Sequence, residues 1–191
     1  VYGKMECRNY RQVWIVLALL ALMFAAQVGL AQVSAQEYVL VRDGAPAATI
    51  VLAEKPTRAA QLGALELQHH VRLISDVTLP IVDDTAEVEG LKLYVGPSKQ
   101  ANAPTDFEDL EYAILFRPNA IVMAGKDKQD FGEVKYWIEE PLIEGAYNYP
   151  TWPDLFDERG SLNAVYDFLR DYCGVRWFDP SEFGTDVPRT Q

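Results

Sequence analysis

Apolar residues recur at intervals of four and three along Ala60, Ala64, Leu67, Val71 and Ile74. That period lays one continuous stripe along a helix. Pro56 stands where its missing N–H is harmless to a helix start, and the pattern fades near Ser75. A second stripe, Leu162, Val165, Leu169 and Tyr172, predicts a shorter helix. Ser161 is placed to cap its start, and Gly174 to end it in a left-handed turn. Val175, Trp177 and Phe178 then suit a strand, and Trp177 and Phe178 are expected to bury against a sheet beside the helix stripe.

The other apolar runs are too short for helices. Residues 37–41 alternate as a strand, Asp43-Gly44 is a hairpin-type turn signal, and residues 48–52 form the return strand. Residues 79–82 and 91–95 read as strands, the second ending at Gly96-Pro97. Residues 112–116 and 120–123, joined by Pro118-Asn119, read as a hairpin. Strands, one long helix, more strands and one shorter helix predict an α/β (α+β) fold. It would be a mixed β-sheet with two main helices packed mostly on one face. Residues 125–159 show no clean period; they mix Lys126-Asp-Lys-Gln-Asp130 with prolines and aromatics, a length of loop that is usually functional or poorly ordered.

The first 35 residues change the picture of where the domain begins. Arg8 and Arg11 precede an apolar run over residues 13–26, and small residues follow at Gly29, Ala31, Ser34 and Ala35. This is the order of a secretory signal peptide, with Met5 as the expected start and the four residues before it as upstream sequence. Residues 36–185 are then the α/β domain and residues 186–191 the start of a linker to a downstream domain. A secreted or periplasmic location follows, with membrane attachment only if the signal is not cut.

Composition narrows the partners. The formal net charge is −11, and losing Lys4, Arg8, Arg11 and Glu6 with the signal takes it to −13. No basic stripe is present, which disfavours nucleic acid. Cys7 lies in the signal, so Cys173 would be alone and is read as a small buried hydrophobe.

The chain lacks the spacings that carry common chemistry. His69 and His70 are adjacent and diverge by about 100° on a helix, so they are read as exposed or half-exposed side chains rather than ligands. No metal site, cofactor site or nucleophile elbow is assigned. The acids Glu139, Glu140, Glu144, Asp154, Asp157 and Glu158 lie in the long loop, and a loop alone does not position a catalytic pair. No catalytic residue is assigned. Trp137, Tyr147, Tyr149 and Trp152 are the candidates for substrate binding, as stacking surfaces for sugar rings or as anchors against a neighbouring domain.

The block Gly160…Ala164-Val-Tyr-Asp-Phe-Leu169…Gly174-Val-Arg-Trp-Phe178…Pro180…Gly184-Thr185…Val187-Pro188 resembles the N-terminal domain of bacterial α-glucuronidase-like proteins and of related uncharacterised secreted proteins. The stripe from Ala60 to Ile74, Leu79-Pro-Ile81 and Val95-Gly-Pro-Ser98 add to it. The layout is also similar to the small domain before the barrel in β-N-acetylhexosaminidases. The resemblance implies a non-catalytic accessory domain of a carbohydrate-active protein. The catalytic carboxylates of those enzymes sit in a following (β/α)8 barrel, so none maps onto this chain, which is expected to be a fragment. Its expected partners are a downstream domain of the same polypeptide and an oligo- or polysaccharide. A free-standing carbohydrate-binding module and a membrane-tethered interaction domain are the alternatives.

N-terminal sequencing of the exported protein tests the signal. It should begin at Gln32 or Gln36, and retention of residues 5–30 would remove the export argument.

Overall fold

The computed structural model describes residues 36–136, 151–179 and 182–189. The signal segment, Trp137, Tyr147, Tyr149 and the acids Glu139, Glu140 and Glu144 lie outside the described residues.

The first turn follows its residues closely. Asp43 and Gly44 take φ of 51° and 72°, the two left-handed positions that let a two-residue loop match strand twist. The hairpin so made is small: β1 (Val41–Arg42) pairs antiparallel with β2 (Ala45–Pro46). The residues expected to return from that turn do something else. β3 (Ala48–Leu52) continues past it into the main sheet, parallel to both its neighbours.

Helix α1 (Arg58–Ser75) begins two residues later than proline placement implies. Thr57 is its N-cap, with Oγ1 accepting from the Ala60 N–H at 3.1 Å, and Pro56 lies outside the helix. Asp76 ends it in the left-handed region. The chain then runs through β4 (Ile81–Asp83), β5 (Leu91–Val95), β6 (Tyr112–Arg117) and β7 (Ala120–Gly125). Pro118 and Asn119, the latter at φ 57°, make the β6–β7 turn, since a type II turn asks for proline first and a positive φ second. The sheet order is β4-β3-β5-β7-β6, parallel throughout except for β6.

Period-two alternation divides the sheet between two cores. Ala48, Ile50, Leu91, Leu93, Val95, Ile121 and Met123 face the helices. Val51, Tyr94, Val122 and Ala124 face the opposite way and pack beneath Val88, Ala101, Ala103 and Phe107 of the irregular segments before and after β5. Both helices therefore lie on one face, as a mixed α/β sheet of this kind requires when one side is closed by loop. On α1, Ala60, Ala64, Leu67 and Val71 fill the core with Ile74 at its margin.

Helix α2 (Gly160–Asp171) buries Leu162, Val165 and Leu169. Tyr172, the fourth member of its expected stripe, is 59% exposed, because the helix has ended and Tyr172 occupies the C-cap. Ser161 is not the cap either. Arg159 holds that position without a side-chain bond, and Ser161 is buried inside the first turn. Gly174 turns the chain at φ 78°, and the Val175 N–H closes onto the Leu169 carbonyl at 3.0 Å.

The strand after Gly174 departs most from expectation. β8 (Arg176–Trp177) pairs with β9 (Thr185–Asp186) as a separate ribbon, not with the sheet. Trp177 is 37% exposed and Phe178 77% exposed. Trp177 packs on helix rings instead, with centroids 5.3 Å from His70 and 5.5 Å from Tyr166. Val175 is the residue of this stretch that enters the core. Asp186 pairs with Arg176, and Val187 packs against the main core.

Backbone approaches demand glycine where α2 meets the sheet. A Cβ on Gly160 would lie 2.5 Å from the Lys126 nitrogen and 2.7 Å from the Glu111 oxygen. Both are main-chain atoms and neither can swing aside. Gly160→Ala should therefore cost about 2–3 kcal/mol through overpacking. Denaturant unfolding reads this, and an unchanged midpoint would show that α2 can shift outward freely.

Candidate functional site

The parallel strands β3, β5 and β7 end at one edge of the sheet, and both helices begin there. Ligands of open α/β sheets favour that edge, outside the carboxyl ends of the strands. A cleft of about 520 Å³ opens at it, with Pro97, Phe107, Lys126, Asp127, Gln129 and Glu158 in its walls. A smaller cavity of about 120 Å³ adjoins it beside Thr57 and Pro97, between the ends of β3 and β5.

Asp127 organises this edge. It lies two residues past β7 and is 5% exposed. Its Oδ2 accepts from the Thr57 hydroxyl at 2.7 Å, and its Oδ1 accepts from the Ser161 N–H at 2.8 Å. One carboxylate thus joins the N-cap of α1 to the first turn of α2, where unsatisfied N–H groups and the helix dipole favour negative charge. The main chain reinforces it. The Gly160 N–H donates to the Lys126 carbonyl at 2.7 Å and the Lys128 N–H to the Glu158 carbonyl at 2.9 Å. Burial raises the Asp127 carboxyl above its ordinary range, opposed by the Ser161 N–H and the Thr57 hydroxyl. With both oxygens so engaged, Asp127 is a structural acceptor and not a free base.

The charged groups at the mouth are also paired. Lys128 Nζ lies 2.8 Å from Asp157, and Lys126 Nζ 4.0 Å from Asp109. The Glu158 carboxyl is hydrogen-bonded to that of Asp109, which pushes it up, since neighbouring carboxylates resist ionising together. The rim pairs Lys126 and Lys128 with Asp109 and Asp157 and adds Asp127 and Glu158, so it offers no surplus of positive charge to an anion.

A second polar cluster sits on the outer face of the helix pair. Ala59, Leu62, Glu66 and His70 form a further buried stripe on α1. Residues 131–136 cover its upper part. Gln61 stitches them down, its Nε2 donating to the Gly132 carbonyl at 2.9 Å and its Oε1 accepting from the Val134 N–H at 3.1 Å. Tyr136 hydrogen-bonds the Glu66 carboxyl. The expectation that His69 and His70 are both exposed or half-exposed fails for His70, which is 5% exposed. The second stripe explains it: residues 59, 62, 66 and 70 share one face that the cover closes.

Of the four aromatic candidates, Trp152 alone falls among the described residues. It is half-buried, its indole N–H donates to the Lys135 carbonyl at 2.9 Å, and it stacks 6.3 Å from Tyr136. Asp154 turns back on the Phe156 N–H and Asp157 pairs with Lys128, so those loop acids serve local structure. Cys173 is half-buried against the core, and burial pushes its thiol up to about 11. Among the described residues no group of three His, Cys, Asp or Glu side chains converges as a metal site. No helix of the described residues is long and apolar enough to cross a membrane.

Asp127 and Glu66 carry no local mark of their roles in the sequence. Asp127 looks like one charge among several in residues 126–130, and nothing local marks it as shared by two helices. Glu66 and His70 were legible as an i, i+4 pair, but the direction of the second stripe depends on a cover that comes from seventy residues away.

Comparison with protein-family models, with curated proteins and with solved structures found no match in any of the three. The likeness to the α-glucuronidase-like domain therefore stands on the motif residues alone.

Asp127→Ala should cost about 2–4 kcal/mol, because it orphans the buried Ser161 N–H and the Thr57 hydroxyl together. Asp127→Asn keeps one acceptor and should cost roughly 1 kcal/mol. The sign of the pH effect follows from the raised carboxyl: its contribution is present below the ordinary carboxylate range and is lost as pH rises. The Asn variant should lack that component. Equal stabilities for wild type and the Ala variant in denaturant would remove the clamp.

Proposed function

We propose that this domain is a non-catalytic accessory module of a secreted carbohydrate-active protein, and that it works by docking on another domain of the same polypeptide. The observation that carries this is the ribbon after α2. Phe178 is 77% exposed and Phe183 fully exposed, and the Phe178 N–H donates to the Gly184 carbonyl at 2.7 Å, so one short ribbon presents both rings. Large exposed aromatics on a well-hydrogen-bonded element are a feature of protein–protein contacts. The ribbon lies within the block that carries the α-glucuronidase-like resemblance. The secreted or periplasmic location rests on the signal-like residues 1–35.

The carbohydrate-binding alternative uses Trp137, Tyr147, Tyr149 and Trp152. In Trp152 the indole N–H is already committed to Lys135, which leaves its ring face as the part that could meet a sugar.

Hydrogen exchange separates docking from sugar binding. Residues 176–186 should exchange fast in this chain alone and slowly in the full-length polypeptide, and Phe178→Ser with Phe183→Ser should abolish that protection. Equal exchange in both forms would sink the docking proposal. Tryptophan fluorescence that shifts on titrating uronic-acid-decorated oligosaccharides onto this chain alone would replace it with the binding-module function. Assay of the same chain on aryl-glycosides should give background rates.

A further inference from the structure

Glu66 and His70 bury an acid and a base one helical turn apart, and the geometry places one of their protons. His70 Nδ1 lies 2.9 Å from the Glu66 backbone carbonyl. A carbonyl can only accept, so Nδ1 carries a hydrogen and aims it at the main chain. The Glu66 carboxyl oxygen Oε2 is 3.4 Å from the same nitrogen, longer than a direct charge-assisted bond. The imidazole is enclosed by rings, with His69 and Trp177 each at a centroid distance of 5.3 Å and edge-to-face.

Among the described residues, the titratable groups around the pair come from three elements. From α1 they are His69 and Arg72, from residues 131–136 Tyr136, and from α2 Tyr166. Tyr136 and Tyr166 are both held above the usual phenol range, chiefly by burial, and so stay neutral. Arg72 is exposed to solvent, and its charge is felt at His69 and Tyr136. An ionised Glu66–His70 pair would leave two desolvated charges without a short bond between them, an arrangement whose desolvation cost exceeds its attraction.

We propose that Glu66 and His70 are buried as a neutral pair, the proton resting on the carboxyl, and that this pair with Tyr136 latches residues 131–136 onto α1. Burial acts in the matching directions, pushing Glu66 up from 4.5 to about 7 and His70 down from 6.5. The closed pair then holds one exchangeable proton. Opened to water between pH 4.5 and 6.5, the pair also holds one, but on the imidazole. Opening moves the proton without gaining or losing it, so the latch is insensitive to pH across that window.

Each single variant uncovers a switch of opposite sign. Without Glu66, His70 must shed a proton to close, so opening increases as pH falls below 6.5. Without His70, Glu66 must take up a proton to close, so opening increases as pH rises from 4.5 to about 7, by roughly two orders of magnitude.

The chain has two histidines, which makes the test direct. In the full chain labelled with 15N-histidine, His70 should be the neutral Nδ1–H tautomer at pH 6. Glu66→Gln should leave its titration almost unchanged, since a neutral amide replaces a neutral acid. An imidazolium at pH 6, or a His70 midpoint lowered by a unit or more in E66Q, would establish an ion pair and overturn the proposal. Hydrogen exchange of residues 131–136, corrected for intrinsic rate, should be flat in the wild type from pH 4.5 to 6.5 and slope oppositely in E66Q and H70N. A steep wild-type slope, or the same slope in both variants, would also overturn it. The NMR comparison uses the wild type and E66Q and holds whether or not H70N folds.

Discussion

One carboxylate ties the two helices of this domain to the end of its sheet. Asp127 accepts from the cap of α1 with one oxygen and from the first turn of α2 with the other. Both helices lie on the same face and start at the same edge, so their unsatisfied N–H groups and positive dipole ends are brought together. Two acceptor oxygens there satisfy donors that burial would otherwise orphan. The glycines at 125 and 160 follow from it: α2 is drawn so close to the end of β7 that a side chain at either position would strike main-chain atoms.

The clamp also decides what the strand-end cleft can do. The buried carboxylate is consumed by the helices, and the lysines beside it face carboxylates of their own. At the edge where ligands of open α/β sheets usually lie, these charged groups are held in pairs. The surface we propose for docking is the β8–β9 ribbon. It stays outside the sheet because Val175 takes the core position and Gly174 has already turned the chain away.

Polar residues on the outer helix face show the same economy. Glu66 and His70 lie under the 131–136 cover, and Gln61 fastens that cover to α1 through both ends of its amide. A buried acid beside a buried base can be neutral together at no net cost in protons, whereas either alone would make closure pH-dependent. The helix pair thus buries apolar stripes against the sheet and a neutral polar stripe against its cover.

Residues near one another in sequence determined much of this by themselves. The α1 stripe, the strand Leu91–Val95, the Asp43-Gly44 and Pro118-Asn119 turns and the Gly174 stop are all set by short-range sterics and by the helical and strand periods. The mixed sheet with helices on one face follows from their order. Tertiary structure alone decided the rest. Trp177 reads as a core strand residue until β8 finds β9 and not the sheet, and Ser161 reads as a cap until Asp127, from another element, takes over that bond. The burial of His70 depends on a cover from residues 131–136. Local propensity is silent on such matters, because a hydrogen bond or a covered face between distant segments exists only once the chain has brought them together.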